Sequence, residues 1–228
     1  MPEQPSTQTV RGFERSVIVV EDDGFVRSLI ADTLEAQGFT VSTAASAADA
    51  KRLINAIDPD AVVLDIDLGP GPNGFDIADM LRARSAETAI LFLTSIPDPR
   101  FAGRDEKAVY KNAAYLNKHL LENTSTLIDA LEAVLTERGV SNYRHHELVD
   151  RPLAQLSRTQ IQVLQLLAQG KTNQQIADIR KRSLAATSSA VTRTLEAIGV
   201  DADAELNVRV SAAMAYVTQV KVPALNLA

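Results

Sequence analysis

Short apolar runs alternate with amphipathic stretches over the first 140 residues, and this alternation restricts the fold more than any other feature of the chain. Ser16–Val20, Phe39–Thr43, Ala61–Leu64, Ala89–Leu93 and Ala113–Leu116 read as strands. Helical spacing places Val26, Leu29, Ile30 and Leu34 on one face of Phe25–Gln37, which Gly38 stops. It places Ala50, Leu53, Ile54 and Ile57 inward on Ser46–Ile57, and Leu127, Leu131, Val134 and Leu135 inward on Thr126–Arg138. Another helix is predicted over Phe75–Arg84. Ala61–Leu64 is apolar at every position, as a strand covered on both faces must be. Strand and helix alternating in this way give a five-stranded, parallel, doubly wound sheet. Pro97–Asn112 interrupts the pattern: Pro97, Pro99 and Gly103 allow only a short or irregular helix there.

The second half is different. Ser141–Pro152 has neither period and reads as a linker whose paired histidines, His145 and His146, are expected to be solvated. Ser157 with Gln160, and Thr172 with Gln175, form two capping boxes; the first opens a helix ending near Ala168 and Gly170, the second a helix carrying Ile176, Ala177 and Ile179. A third helix is predicted from about Ala185 to Ile198, and a fourth over roughly Ala204–Val220. The net charge of −6 divides unevenly. From Arg151 onward nine Lys/Arg stand against five Asp/Glu, a net of +4, while the first 150 residues carry a net of −10. A basic helical half suits a polyanionic partner, and an acidic front half does not. The absence of Cys excludes disulfides, thiolate nucleophiles and Cys-based metal sites. No segment has the length and apolarity of a signal peptide or a membrane span, so the cytoplasm is the expected location.

In a doubly wound sheet, ligands bind beyond the carboxyl ends of the strands. Glu21, Asp22 and Asp23 follow the first strand, Asp65 ends the third and Asp67 lies two residues on. Clustered carboxylates repel one another unless a cation neutralises them, which suits a hard ion such as Mg²⁺. A carboxylate left over can act as a nucleophile toward phosphorus. Thr94, ending the fourth strand, and Lys118, after the fifth, reach the same edge. Taken singly, each of these residues has an ordinary role: Asp22 or Asp23 as a helix cap, Lys118 as a solvated lysine. Their joint placement at successive strand ends carries the functional reading.

The set Glu21–Asp22, Asp65, Thr94 and Lys118 closely resembles the receiver domain of two-component response regulators, over about Arg15 to Gly139. The resemblance implies a flavodoxin-like α/β receiver with Asp65 as phosphoacceptor. It implies Mg²⁺ held by Glu21, Asp22, Asp65 and the main-chain carbonyl of Asp67. It also implies that Thr94 and Lys118 contact the phosphoryl group, that Tyr115 is the aromatic that turns inward on activation, and that the donor is a partner histidine kinase. Two departures stand out: the loop before Gly74 is one residue longer than usual, and His119 follows Lys118 where the family commonly has Pro.

Leu156–Val200 resembles the helix-turn-helix of LuxR/FixJ-type regulators, through LSRTQIQVLQLLAQG, TNQQIA and a helix ending Ile198-Gly199-Val200. The resemblance implies an all-α, four-helix DNA-binding domain that reads the major groove with its third helix and dimerises through its fourth when active. The candidate DNA contacts are Lys171, Arg180, Lys181, Arg182, Ser188, Ser189, Thr192 and Arg193, with Arg158 in reserve; the candidate dimer contacts are Ala212, Ala213 and Tyr216. The third helix departs from the family in carrying Ala186, Thr187, Ser188, Ser189 and Ala190 where Lys, Asn, His or Arg are common.

The resulting expectation is a tail over residues 1–14, a receiver over 15–140, a linker over 141–152 and a helix-turn-helix domain over 153–228. The protein would be a phosphorylation-switched transcription factor with no enzymatic activity of its own. Two alternatives are a receiver whose helical domain binds a protein of the sigma or anti-sigma type, and one that binds RNA. A third, a hydrolase working through an aspartyl phosphate, is disfavoured because only Asp67 stands near as a general acid and no cap domain is visible.

Overall fold

The computed structural model describes residues 15–84, 87–150, 153–199 and 208–220. Its front half runs β1 (Ser16–Val20), α1 (Gly24–Glu35), β2 (Thr40–Ala44), α2 (Ala47–Ile57), β3 (Ala61–Leu64), α3 (Gly74–Arg84), β4 (Ala89–Thr94), β5 (Ala114–Asn117) and α4 (Ser125–Thr136). The sheet is parallel throughout, in the order β2-β1-β3-β4-β5. The chain therefore winds outward in both directions from β1 and β3, and the crevice lies beyond their carboxyl ends.

Side-chain alternation splits the apolar strands between two cores. Ile18, Val20, Val62, Leu64, Phe92 and Tyr115 meet α2 and α3 on one face. Val17, Val19, Val63, Leu91, Leu93 and Leu116 meet α1 and α4 on the other. Each fully buried aliphatic contributes roughly 1.5–3 kcal/mol, so the two layers hold the sheet edge rigidly. Two residues expected inward are not: Leu29 is 51% exposed and Ile57 39%. On α1 the buried stripe is Ile30, Ala31 and Leu34, and Leu29 falls beside it.

Between β4 and β5 no α-helix forms. Two 3-10 turns, Pro99–Ala102 and Glu106–Ala108, take its place, capped by Asp98 and Asp105. Gly103, with φ of 72°, ends the first turn in the left-handed region that glycine tolerates.

The expected solvation of His145 and His146 is corrected. Val140–Tyr143 and His145–Glu147 are 3-10 turns packed on the open edge of β5. The Arg144 guanidinium donates to the carbonyls of Tyr110 (2.9 Å) and Ala113 (3.0 Å). His145 Nδ1 accepts the Asn117 N–H at 3.1 Å, and His146, 4% exposed, lies with its ring 4.8 Å from that of Tyr115. An edge strand leaves main-chain groups that need covering, and this segment covers them.

The helical half comprises α5 (Arg158–Ala168), α6 (Asn173–Arg180), α7 (Leu184–Ala197) and α8 (Val208–Val220). Both capping boxes form, on Ser157 with Gln160 and Thr172 with Gln175. Lys181, at φ 52°, makes the turn from α6 to α7. Leu156, Ile161, Leu164, Leu167, Ile176, Val191 and Ala212 form the core. The predicted tail, and the start predicted for the fourth helix at Ala204, lie outside the described residues.

Candidate phosphoacceptor site and nucleic-acid interface

Register brings the acidic residues together. Val20 pairs with Leu64, so Glu21 and Asp65 leave adjacent strands side by side. The main-chain N–H of Asp65 donates to the carbonyl of Val20 at 2.9 Å, and that of Glu21 to Ala44 at 3.1 Å. Ligand oxygens of Glu21, Asp22 and Asp65 lie within 4.8 Å of one another. Glu21 and Asp65 are buried, whereas Asp22 is exposed at the mouth. Asp23 instead caps α1, accepting the N–H groups of Phe25 and Val26. Arg27 donates to the carbonyls of Glu21 (2.6 Å) and Asp22 (3.2 Å) and fixes the loop.

Lys118 bridges the cluster, with Nζ 2.5 Å from Glu21 Oε2 and 2.7 Å from Asp65 Oδ2. The described residues contain no cis peptide, and Lys118 reaches both carboxylates without the family's proline after it. Burial and the charge of Asp65 push the Glu21 carboxyl up to about 7, against the pull of Lys118. Burial acts to lower Lys118, but Asp65 and Glu21 outweigh it and hold the ammonium above its ordinary value. A site that raises a carboxyl this way is short of positive charge, and its all-oxygen donor set fits a hard divalent cation.

Asp67 is exposed, and its main-chain N–H donates to Asp65 Oδ1 at 3.1 Å. Thr94 is fully buried, its hydroxyl accepting the Ile96 N–H at 3.3 Å. Tyr115 is fully buried and donates to the Ile96 carbonyl at 2.8 Å. Burial, with the charges of Asp98 and Asp65, holds its phenol well above its ordinary value. Gly74 lies against the acceptor: a Cβ there would stand 2.2 Å from the carbonyl oxygen of Asp65. Glu21, Asp22, Asp65, Asp67 and Lys118 rim a cleft of about 730 Å³ that also touches Gln165 and Tyr216 of the helical half.

On α7, Ser189, Thr192 and Arg193 are exposed and Ser188 is half-buried. Their hydroxyls are engaged: Ser189 donates to the Ala185 carbonyl (3.1 Å), Thr192 to that of Ser188 (3.2 Å), and Ser188 accepts from Asn173 (3.3 Å). Lys181 and Arg182 are exposed, Arg180 is half-buried beside Gln162, and Lys171 is half-buried. Of the candidate dimer residues, Ala212 is fully buried, Ala213 is half-buried, and the Tyr216 ring lies 6.2 Å from that of Phe101. Among the described residues of α8, Val210 and Met214 are exposed and apolar.

Residues 17–132 match the family of response regulator receiver domains, and residues 154–208 the bacterial regulatory proteins of the luxR family. The chain is a LuxR-family response regulator. A transcriptional regulator of Pseudomonas aeruginosa is 31% identical to it over 171 residues, 71% of this chain and 80% of that one. The virulence-factor transcription regulator BvgA of Bordetella pertussis is 28% identical over 202 residues, 83% of this chain and 93% of BvgA. With the photosynthetic apparatus regulatory protein RegA of Cereibacter sphaeroides the response regulator shares 36% identity over 83 residues, 45% of RegA's length. Its fold is that of RcsB from Salmonella enterica serovar Typhimurium, solved bound to promoter rprA with the phosphomimetic BeF3⁻: TM-score 0.57, 20% identity, 89% of this chain and 98% of RcsB. The regulator thus joins a receiver to a LuxR-type DNA-binding domain.

Sequence reasoning missed the contacts between the two halves. Asp98 and Arg100 lie in the proline-rich stretch expected to hold only a short or irregular helix, and sequence reasoning gave them no role, yet Asp98 is fully buried and Arg100 is 6% exposed. No periodicity marks such a pair. Gly74 did carry a signal, as the glycine after the acceptor loop.

Proposed function

We propose that Asp65 accepts a phosphoryl group from the phosphohistidine of a partner histidine kinase and that this switches the binding of a homodimer to a two-fold DNA site. An oxygen of the Asp65 carboxylate forms the new bond to phosphorus as the bond to the imidazole nitrogen breaks and the electron pair leaves with the histidine. The observation that carries this reading is Lys118 Nζ bridging Glu21 and Asp65 at the crevice edge of the sheet. Glu21, Asp22, Asp65 and the Asp67 carbonyl would hold Mg²⁺, which would supply charge neutralisation for the transfer. Once Asp65 carries a phosphoryl group of about two negative charges in place of its single carboxylate charge, Lys118 turns to the phosphoryl oxygens and the Thr94 hydroxyl follows. Thr94 and Tyr115 both bond to Ile96, so movement of one is felt by the other. The switch biases an equilibrium that already exists. On the DNA side, Arg180, Lys181, Arg182 and Lys171 grip phosphates, and Ser188, Ser189, Thr192 and Arg193 face the groove.

The test is acetyl phosphate or beryllofluoride with Mg²⁺. Wild-type protein should be labelled and should change its association state, and Asp65→Asn should do neither. An equal response from both would remove Asp65 from the mechanism.

A further inference from the structure

Two elements of the helical domain reach back to the acidic cleft. Phe101, in the turn after β4, is 7% exposed and belongs to the core of the helical domain rather than to that of the receiver. Gln165 Nε2, on α5, donates to the Phe101 carbonyl at 2.9 Å and to the Tyr216 hydroxyl at 3.3 Å. Arg100 donates to the carbonyl of Ala154 at 3.2 Å and to that of Leu156. Phe101, Gln165 and Tyr216 then share one cleft with Glu21, Asp65 and Lys118. The side of the helical domain that meets the receiver is thus α5 and α8. The exposed residues of α7, Ser189, Thr192 and Arg193, remain open to solvent.

We infer that the helical domain is a lid on the phosphoacceptor cleft, seated by Phe101, Gln165 and Arg100, and that seating limits access to Asp65 without masking the DNA-reading helix. The inference rests on Asp65 being the acceptor. A phosphodonor must approach Asp65 through a cleft that α5 and α8 partly wall, so the open state reacts faster. A ligand shifts an equilibrium only by its differential affinity for the two states. A phosphoryl group placed against the lid discriminates between seated and open forms, whereas DNA meeting α7 alone does not.

The experiment compares initial rates of labelling by acetyl [³²P]phosphate with Mg²⁺ in the full chain. Phe101→Ala and Gln165→Ala should be labelled about fivefold faster or more, the scale of a modest coupling between sites. Their affinity for a short duplex, measured without phosphodonor, should match that of the wild type. Circular dichroism establishes folding; if Phe101→Ala does not fold, Gln165→Ala, which removes only a half-buried polar side chain, decides. Folded variants labelled at the wild-type rate, or labelled faster with an equal gain in duplex affinity, overturn the lid. Label appearing equally on Asp65→Asn would instead overturn the assignment of Asp65, and the lid with it.

Discussion

The guanidinium of Arg100, in the receiver, ends on the main-chain carbonyl of Leu156, at the entrance to the helical domain. It arrives there already paired: Nε lies 2.9 Å from Asp98 Oδ1 and Nη2 2.6 Å from Oδ2. Removing one partner of a buried pair strands the other charge at a cost of about 3–5 kcal/mol, whereas replacing both with apolar residues costs far less. Asp98→Ala and Arg100→Ala should each lower stability by about that amount in urea unfolding, and Asp98→Leu/Arg100→Met by clearly less than their sum. Strict additivity would show that the two do not act as a unit.

Lys118 is the cation of the metal-free site. Its loss leaves Glu21 and Asp65 buried against each other with no counter-charge. Lys118→Met should destabilise the metal-free protein by about 3 kcal/mol. Millimolar Mg²⁺ should then raise the melting temperature of the variant more than that of the wild type, because a second cation replaces the one removed. Equal Mg²⁺ shifts in both proteins would show that the ammonium and the metal do not serve the same carboxylates.

Gly74 sets the position of the acceptor. A methyl group there would sit 2.2 Å from the Asp65 carbonyl oxygen and 2.9 Å from Ile66 Cα, both main-chain atoms that cannot swing aside. Gly74→Ala should displace Asp65 and slow labelling by acetyl phosphate by about 100-fold, as a misplacement near 1 Å does. A labelling rate within a factor of about two of wild type, well inside 1 kcal/mol, would mean the loop yields instead.

The receiver was legible because periodicity reports what each strand buries. The continuous apolar run Ala61–Leu64 feeds both cores, and the acidic residues follow directly from where the strands stop. What escaped is held by long polar side chains acting over distance. Arg144 reaches back over 30 residues to the carbonyls before β5, and Arg100 forward over 50 to Leu156. Such contacts need the fold to exist before they can form, and no local spacing encodes them. Leu29 and Ile57 failed for the opposite reason: helical period alone cannot locate the margin of a buried stripe.

His145 gives the linker a pH dependence. Its Nδ1 accepts the Asn117 N–H, which requires the neutral ring, and burial holds its pKa below the ordinary 6.5. As pH falls, the unfolded chain takes the proton first. The stability the contact contributes is therefore present above pH 6.5 and lost as pH drops below it. The loss should be on the order of 1 kcal/mol, the worth of one hydrogen bond. His145→Gln should flatten that part of the stability profile, read as the difference in urea midpoint between pH 8 and pH 5.5. An unchanged difference would place the titration elsewhere.

On the DNA side, the hydroxyls of Ser189 and Thr192 already donate to carbonyls of their own helix, so they have no hydrogen to offer a base. Arg182, just before α7, and Arg193, on α7, are both exposed. Electrostatic grip should therefore dominate. Each phosphate contact removed should lower the slope of log affinity on log salt by about 0.9. Arg182→Ala, just before α7, should show that drop on every duplex tested. Ser189→Ala should leave both slope and affinity nearly unchanged. Arg193→Ala decides between roles: the same drop on all duplexes marks a phosphate contact, whereas an unchanged slope with affinity lost on some sequences marks a base contact. A steep salt dependence that survives loss of both arginines would move the interface off α7 altogether.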